Sequence, residues 1–248
     1  MSEGKFNVYD ENGRVLKGHR DYGKIIEDIP RSDPELIKRL AKYGASKVAE
    51  LQLYGGVMNQ RIKPIKNGFH IAGPAFTAMG KPGDMLFPAV ACSLAKEGDV
   101  LVFGGGSQSQ MFAFGDGVGG FIKRKGVAGL ISDGATHDLQ GLCDLDLPMF
   151  CQGDATYPGS SGGPGAVNIP IACGDVVVNP GDIIIADDDC IVVVPYQDLE
   201  RMVAVADAQH EIDLVRRQRS KEGASLIQLN NLGPMIDKWT KFQNDIQG

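Results

Sequence analysis

Residues 163–195 read "GPGAVNIPIACGDVVVNPGDIIIADDDCIVVVP". From Val176 onwards this stretch contains three runs rich in β-branched residues. The polar segments "NPGD" and "DDDC" separate the runs and have the length of hairpin turns. The pattern predicts three short strands that form a small antiparallel meander.

Upstream of this stretch, apolar runs of strand length alternate with segments of helical length and period, such as "GDMLFPAVACSLAKEG" at 83–98. The segment "SDPELIKRL" at 32–40 begins with a helix cap and a proline suited to the first helical turn. The alternation predicts an α/β fold. The apolar runs are "HIAGPAFTAM" (70–79), "DVLVFGG" (99–105), "VAGLISDG" (127–134) and "LPMFCQG" (147–153).

The two ends of the chain have a different sequence pattern. Residues 1–30 alternate weakly around "DENGR" and predict an N-terminal arm. The segment 196–223 predicts a long helix closed by Gly223, and 225–248 predicts a weaker helical tail that contains Trp239. We therefore expect one domain over residues 31–224 with an extension at each end.

Composition limits the class of protein. A chain of 248 residues with 43% hydrophobic and 23% charged residues suits a large globular domain. Its net charge of -6 disfavours binding to a phosphate backbone, which needs clustered cations. The five cysteines show no C-x-x-C spacing, and no signal peptide or membrane-spanning run is visible. We expect a cytoplasmic protein with reduced thiols and neither nucleic acid nor membrane as partner.

Two glycine-rich segments could carry chemistry. In "VFGGGSQSQ" at 102–110, an apolar strand enters Gly104, Gly105 and Gly106, whose amides could face an anion, although a plain turn explains the run equally well. In "MFAFGDGVGGFIKRKG" at 111–126, four glycines weaken a segment of helical length. Either a neighbouring backbone or ligand packs there, or the segment is partly loop, with Asp116 at its centre.

The stretch "GLISDGATHD" at 129–138 runs from a strand into a polar turn. Ligands in α/β folds commonly bind at the carboxyl ends of strands, which makes His137 and Asp138 candidates. A lone His-Asp pair is weak evidence, because aspartate is also a common turn residue. Asp133 could cap the turn as well as Asp138. The residues alone therefore do not decide whether His137 and Asp138 bind a ligand or only form a turn.

Spacing adds a further clue. Residues 117–136 separate Asp116 from the pair His137-Asp138. The chain also contains "AGPAFTA", "PGD", "GDVLVFGGG" and the run 163–195 in this order. The arrangement resembles the family of divalent-metal class II pyruvate aldolases, which act on 4-hydroxy-4-methyl-2-oxoglutarate and 4-carboxy-4-hydroxy-2-oxoadipate. The same family includes the RraA regulators of ribonuclease activity. The resemblance spans roughly residues 36–225. It implies an αββα sandwich that assembles as a homotrimer or homohexamer with sites between subunits.

The resemblance also implies roles for particular residues. Asp138 would bind Mg²⁺ or Mn²⁺ directly, and Asp116 would hold one of the metal-bound waters. Glu211, on the late helix, would reach the metal waters of a neighbouring subunit. The backbone amides of the glycine loop would receive the pyruvate carboxylate and keto oxygen; these residues are Gly105, Gly106, Ser107 and Gln108. A hard cation held by carboxylates and water suits the enolate chemistry of such a lyase.

One residue departs from the family pattern: His137 stands where the family has arginine. An arginine would clamp substrate oxygens with a fixed charge and a bidentate fork, whereas a histidine is largely uncharged near neutral pH. His137 could be a weaker donor in a working aldolase or decarboxylase, a general acid or base for a different substrate, or the sign of lost chemistry.

We therefore expect a metal-dependent carbon-carbon lyase that releases pyruvate from a small 2-oxo di- or tricarboxylic acid by retro-aldol cleavage or decarboxylation. The alternatives are a related metal enzyme with another substrate, because of His137, and a non-catalytic regulator of a ribonuclease. Asp116 and Asp138 favour an enzyme, since a pure binding module gains nothing from carboxylates that organise water.

Overall fold

The computed structural model describes residues 21–105, 114–155, 157 and 159–247 of the chain. Its helices are α1 (Pro34–Ala41), α2 (Ala45–Leu51), α3 (Leu86–Leu94), α4 (Asp116–Arg124), α5 (Leu139–Asp144), α6 (Leu199–Lys221), α7 (Leu226–Leu229) and α8 (Gly233–Gln247), with a 3₁₀ turn at Tyr196–Asp198. Its strands are β1 (Lys63–Pro64), β2 (Ile71–Gly80), β3 (Val100–Gly104), β4 (Gly129–Ser132), β5 (Met149–Cys151), β6 (Gly165–Val167), β7 (Ile171–Cys173), β8 (Val176–Val178), β9 (Ile183–Ala186) and β10 (Ile191–Val194).

Strand β2 is the longest strand and pairs with three others. The order of the main sheet is β1-β5-β4-β3-β2-β9-β10, and β6 also pairs with β2. Strands β2 to β5 run parallel to one another, while β1, β6 and β9 are antiparallel to their neighbours. The carboxyl ends of β2 to β5 therefore meet at one edge of the sheet, as the α/β alternation predicts.

Alternate residues of β2 pack into two different cores, as the period of a strand requires. Phe76 and Ala78 lie in a core that includes buried residues of α3, α4 and α5. Ala75 lies in the other core, with buried residues of β7, β9 and β10. Helix α1 contacts β2, and α2 contacts β10. These layers confirm the predicted α/β sandwich.

Local signals in the sequence explain where the first helix begins. The side chain of Asp33 accepts a hydrogen bond from the backbone N-H of Glu35, and Pro34 is the first residue of α1. The proline has no N-H to leave unpaired and its fixed φ suits the first turn. Ile37 and Leu40 then fall on the buried side of the helix. The predicted cap is confirmed.

The predicted three-stranded meander is wrong in one of its pairings. Strands β9 and β10 form an antiparallel hairpin across "DDDC", as expected. However, β8 pairs with β7 in a separate two-stranded sheet, and β9 pairs with β2. The segment "NPGD" therefore connects two sheets and is not a hairpin turn. The side chain of Asp182 accepts from the backbone and side-chain nitrogens of Asn179, which stabilises this connection.

Part of the predicted N-terminal arm lies along β6. The backbone N-H of Gly23 donates to the carbonyl of Gly165, and Ile26 donates to Val167. Ile29 is buried in the same core as Phe76. Residues 21–30 thus contribute backbone pairing and apolar contacts, while residues 1–20 lie outside the described part of the chain.

The chain divides into two compact units, Met1–Glu200 and Arg201–Gly248. In the second unit, Ser225 caps α7 through a reciprocal capping box with Gln228. The rings of Trp239 and Phe242 on α8 pack edge to face, with centroids 5.8 Å apart. Helices α7 and α8 lie within the predicted tail. Among the helices of the described residues, none is long and apolar enough to span a bilayer.

Candidate functional site

The loop after β4, residues 133–138, begins with a buried carboxylate. Asp133 is only 4% exposed. Its oxygens accept hydrogen bonds from Arg61 at 3.0 and 3.1 Å, and also from the side chain of Gln152 and the backbone N-H of Gly174. A carboxylate with this many donors supports the loop structurally. This network explains why Asp133 is not exposed to a ligand.

Arg61 joins Asp133 to the turn between β7 and β8. The guanidinium also donates to both oxygens of Asp175, at 2.6 and 2.8 Å. The hydrogen bonds to Asp175 and Asp133 raise the pKa of Arg61 above its ordinary value, so the guanidinium stays charged. No local pattern in the sequence predicts this network, because its members are far apart along the chain.

Thr136 ties three segments together within the first unit. Its hydroxyl donates to the carbonyl of Phe114 at 2.8 Å, and its backbone N-H donates to the carbonyl of Gly153. The N-H of Ala155 donates back to the carbonyl of Thr136. Thr136 is fully buried, so these bonds are shielded from water. They fix the position of the next two residues of the loop, His137 and Asp138.

His137 and Asp138 form a direct pair at the end of this loop. His137 Nδ1 lies 2.7 Å from Asp138 Oδ2. Asp138 has a left-handed backbone, with φ 58° and ψ 38°, and its side chain does not cap α5. Aspartate tolerates this conformation better than most residues. The side chains of His137 and Asp138 are 31% and 47% exposed, respectively, so both can reach a ligand.

Two glycines allow the N-terminal ends of α4 and α5 to approach each other. A Cβ atom on Gly115 would lie 2.6 Å from His137 Nε2 and 2.7 Å from Asp138 Oδ2. A Cβ atom on Gly141, in the first turn of α5, would lie 2.9 Å from Asp116 Oδ2. The twenty-residue spacing therefore does bring Asp116 and Asp138 to the same pair of helix ends. Sequence reasoning missed Gly141, for which a glycine inside a short helix was the only signal.

The unusual glycine content of α4 has a packing explanation at Gly119. A Cβ atom there would lie 2.7 Å from Leu142 Cδ2 and 2.9 Å from Leu145 Cδ1. The alternative that a neighbouring segment packs against this face is therefore correct at that position. Gly117, in contrast, faces open space. These glycines have different roles although they are close in sequence.

The glycine turn after β3 is described only in part. Gly105 has φ 81°, and a Cβ atom there would lie 2.6 Å from the carbonyl oxygen of Gly80. Only glycine suits this close approach and positive φ. Gly106, Ser107 and Gln108 lie outside the described residues, so their predicted role in receiving the substrate stays a prediction. Glu211 lies exposed on α6 in the second unit, and its role also stays a prediction.

Asp84 anchors the loop between β5 and β6. Its buried carboxylate accepts hydrogen bonds from the hydroxyl of Ser160 and from the backbone N-H groups of Gly162 and Gly163. Burial raises the pKa of Asp84, but the hydrogen bond from Ser160 and those from the backbone outweigh burial and lower the pKa to about 2. This loop also meets Thr136 through residues 153–155, and so lies beside the site.

The donor set fits a hydrated hard cation. Asp138 and Asp116 offer carboxylate oxygens, which Mg²⁺ and Mn²⁺ accept while several waters remain bound. Among the described residues there is no group of three or more His, Cys, Asp or Glu side chains that could enclose a metal ion. The set therefore suits a site with one or two protein carboxylates better than a closed four-ligand zinc site.

The order of these residues is shared with a known family. The RraA-like family model, described as aldolase/RraA, matches residues 33–193. The chain belongs to this family. A relative in Halalkalibacterium halodurans, named "Putative 4-hydroxy-4-methyl-2-oxoglutarate aldolase", is 32% identical over 170 residues, which cover 68% of this chain and 81% of that protein.

Solved structures of RraA-like proteins and others share the fold. Streptomyces coelicolor RraAS2, described as an unusual member of the RNase ES inhibitor RraA protein family, has a TM-score of 0.68 and 27% identity over 77% of this chain and 99% of that one. An uncharacterized protein from Pseudomonas syringae pv. tomato has a TM-score of 0.70 at 21% identity, over 82% of this chain and 96% of that one. The second likeness concerns the fold alone.

Gly115→Ala tests the close approach of α4 to the His137-Asp138 pair. The added methyl group must displace the ends of the two side chains, which are partly exposed, so we expect a loss of about 1 kcal/mol in the free energy of unfolding. Gly117→Ala is the matched control in the same helix, and it should stabilise the protein by up to about 1 kcal/mol, because its Cβ meets open space. Urea unfolding measures both changes. Equal stability of the two variants would contradict the geometry.

Asp84→Asn tests whether the ionised carboxylate of Asp84 anchors the 152–164 loop. The effect of the substitution on stability should then depend on pH. The folded pKa of Asp84, about 2, lies below the ordinary value of 3.8, so its stabilisation is complete above that value and is lost as pH falls towards 2. We expect wild type to exceed the variant by about 2 kcal/mol at pH 6, with the gap narrowing between pH 4 and pH 3. Urea unfolding at each pH measures the gap. A gap independent of pH would be inconsistent with an ionised anchor.

Proposed function

We propose that the protein is a divalent-metal-dependent carbon-carbon lyase that releases pyruvate from a small 2-oxo acid. The observation that carries the proposal is the placement of Asp116 and Asp138 at adjoining helix ends. Membership of the aldolase/RraA family and the relative named as an aldolase support a lyase at family level. The metal, the substrate and the pyruvate product belong to the proposal.

In this proposal Asp138 would hold the metal, and Asp116 would hold one of its waters. A bound Mg²⁺ or Mn²⁺ supplies a Lewis acid for the 2-oxo group of the substrate. We expect the backbone amides from Gly105 to Gln108 to bind the substrate carboxylate and keto oxygen, because such donors stabilise growing negative charge. Glu211 of an adjacent subunit completes the site in a homotrimer or homohexamer.

His137 has the role of moving a proton. Its Nδ1 lies 2.7 Å from Asp138 Oδ2, and its Nε2 lies on the side of Gly115, at the start of α4. The pairing with Asp138 orients the imidazole, as a carboxylate commonly does for a catalytic histidine. Because Gly115 has no side chain, the ring can lie close to the start of α4.

The proposed reaction is a retro-aldol cleavage, in which every bond and proton is accounted for. The hydroxyl on C4 of the substrate loses its proton, and the electrons of that O-H bond form the carbonyl of the departing aldehyde or ketone. The C3-C4 bond breaks, and its electron pair stays with C3 as the enolate of pyruvate. A proton delivered to C3 then gives pyruvate. The site needs a proton acceptor and donor, a group that binds the 2-oxo end, and stabilisation of the enolate.

A second candidate function is a non-catalytic regulator of a ribonuclease. The likeness to Streptomyces coelicolor RraAS2, from the RNase ES inhibitor RraA protein family, favours it. The same fold can support either role, so the function has to be inferred from the residues of the site. Exposed carboxylates at Asp116 and Asp138 fit a metal enzyme, and a regulator would not need them.

An assay of pyruvate release tests the proposal. With Mg²⁺ or Mn²⁺ added, the protein should release pyruvate from 4-hydroxy-4-methyl-2-oxoglutarate, from other 4-hydroxy-2-oxo acids, or from oxaloacetate by decarboxylation. Asp138→Asn should lower kcat/KM on the order of 100-fold, because a neutral amide is a poor ligand for a hard cation. Asp154→Asn, which changes an exposed aspartate of the neighbouring loop, should retain activity.

A chelator should abolish the activity, and added metal should restore it. Absence of pyruvate from every substrate with either metal would refute the lyase and favour the regulator. Equal activity of Asp138→Asn and wild type would refute the assignment of the metal to Asp138.

A further inference from the structure

A buried hydroxyl joins the two segments that carry Asp116 and Asp138. Thr136 Oγ1 donates to the carbonyl of Phe114 at 2.8 Å, and its contact with the carbonyl of His137 is longer, at 3.4 Å. Phe114 lies two residues before Asp116. Thr136 likewise lies two residues before Asp138. The shorter hydrogen bond therefore connects the chain that enters α4 to the chain that enters α5, at the same sequence distance from each carboxylate.

Other contacts hold both partners of this hydrogen bond in place. Phe114 is 2% exposed, and its ring packs edge to face against Phe103 of β3, with centroids 6.1 Å apart. Thr136 is fully buried, and its backbone N-H donates to the carbonyl of Gly153. A hydrogen bond between two buried and fixed groups is strengthened by the absence of competing water. The segments that enter α4 and α5 therefore keep a defined separation at this point.

The two carboxylates themselves are exposed. Asp116 is the first residue of α4, and Asp138 is the residue that precedes α5. Their side chains can rotate, but the backbone from which each extends is tied to the other through Thr136. A metal that binds one carboxylate directly and the other through a water needs the two at a defined separation. Loss of the Thr136 hydroxyl should therefore weaken metal binding.

We propose that Thr136 is a positioning residue for the divalent metal, because its hydroxyl fixes the separation of the segments that carry Asp116 and Asp138. The inference rests on the proposed function, since the metal belongs to that proposal. It deepens the proposed function by assigning part of the metal affinity to a side chain that is itself fully buried. Groups that orient the ligands of a metal from outside its coordination sphere typically change metal affinity by about 10- to 100-fold.

Thr136→Val tests this role, because valine has nearly the same shape as threonine but no hydroxyl. Electron paramagnetic resonance of free Mn²⁺ measures the Kd of the full chain for the metal without any turnover. The Kd of Thr136→Val should be about tenfold higher than that of wild type. Thr136→Ser keeps the hydroxyl and should bind Mn²⁺ nearly as tightly as wild type.

Thr77→Val is the matched control. Thr77 is also fully buried, and its hydroxyl donates to the carbonyl of Ile169 at 2.7 Å. It lies within β2 and connects that strand to the chain between β6 and β7. Both valine variants remove the same kind of buried hydrogen bond, so both should lower the midpoint of urea unfolding to a similar extent. Thr77→Val should nevertheless bind Mn²⁺ as wild type does.

A double-mutant comparison distinguishes positioning from a general loss of structure. In an Asp116→Ala background the second carboxylate is absent, so its separation from Asp138 no longer matters. Thr136→Val should then have little further effect on the Kd for Mn²⁺. An equal effect of Thr136→Val in both backgrounds would mean that it acts through the loop as a whole, and would overturn the proposal.

The outcomes separate this inference from the function on which it rests. Equal Kd values for wild type and Thr136→Val overturn the positioning role and leave the metal site intact. An equal loss of affinity in Thr77→Val also overturns it. If wild type binds no Mn²⁺, or if Asp138→Asn binds it as tightly as wild type, the metal site is refuted and the inference falls with it. If Thr136→Val does not fold, Thr136→Ala against Thr136→Ser decides, because only serine has the hydroxyl.

Discussion

The pairing of β2 along its whole length organises the first unit. Residues 75–79 pair with β3, residues 71–74 pair with β9, and residues 78–80 pair with β6. Since β3, β4 and β5 continue in parallel from β2, their carboxyl ends lie at one edge. The loops that leave this edge carry Gly105, Asp116 and the segment 133–138. The position of these loops depends on the register of β2. A shift of one residue in that register would turn each β2 side chain to the opposite face of the sheet.

Much of this architecture could be predicted from the sequence. The four apolar runs of β2 to β5, the cap at Asp33 and the hairpin of β9 and β10 follow from local patterns. The partner of β8 could not be predicted in the same way. A β-branched run indicates a buried strand, but it does not say which strand it will pair with, and "NPGD" suits a connection between sheets as well as a hairpin.

The candidate site was predicted in part. The spacing between Asp116 and His137-Asp138 was visible in the sequence, and the structure brings these residues to adjoining helix ends. The contribution of Gly141 and the burial of Asp133 by Arg61 depend on contacts between distant segments. The identity of a single residue does not predict such contacts.

Family membership and fold leave the function open between an aldolase and a regulator. The proposal of a lyase rests on the side chains at this edge. Asp116 and Asp138 have exposed carboxylates at adjoining helix ends, and the proposal assigns them to a divalent metal. His137 is paired with Asp138 through Nδ1. In the proposed function its imidazole carries a proton.

The central claim is that Asp138 binds a divalent metal at the adjoining ends of α4 and α5. Crystals grown with Mn²⁺ and oxalate, an unreactive analogue of the pyruvate enolate, allow the metal to be located by its anomalous scattering. The account predicts a manganese peak on the Asp138 carboxylate, with Asp116 contacting a metal-bound water. No peak at Asp138, or a peak only elsewhere in the molecule, would contradict it.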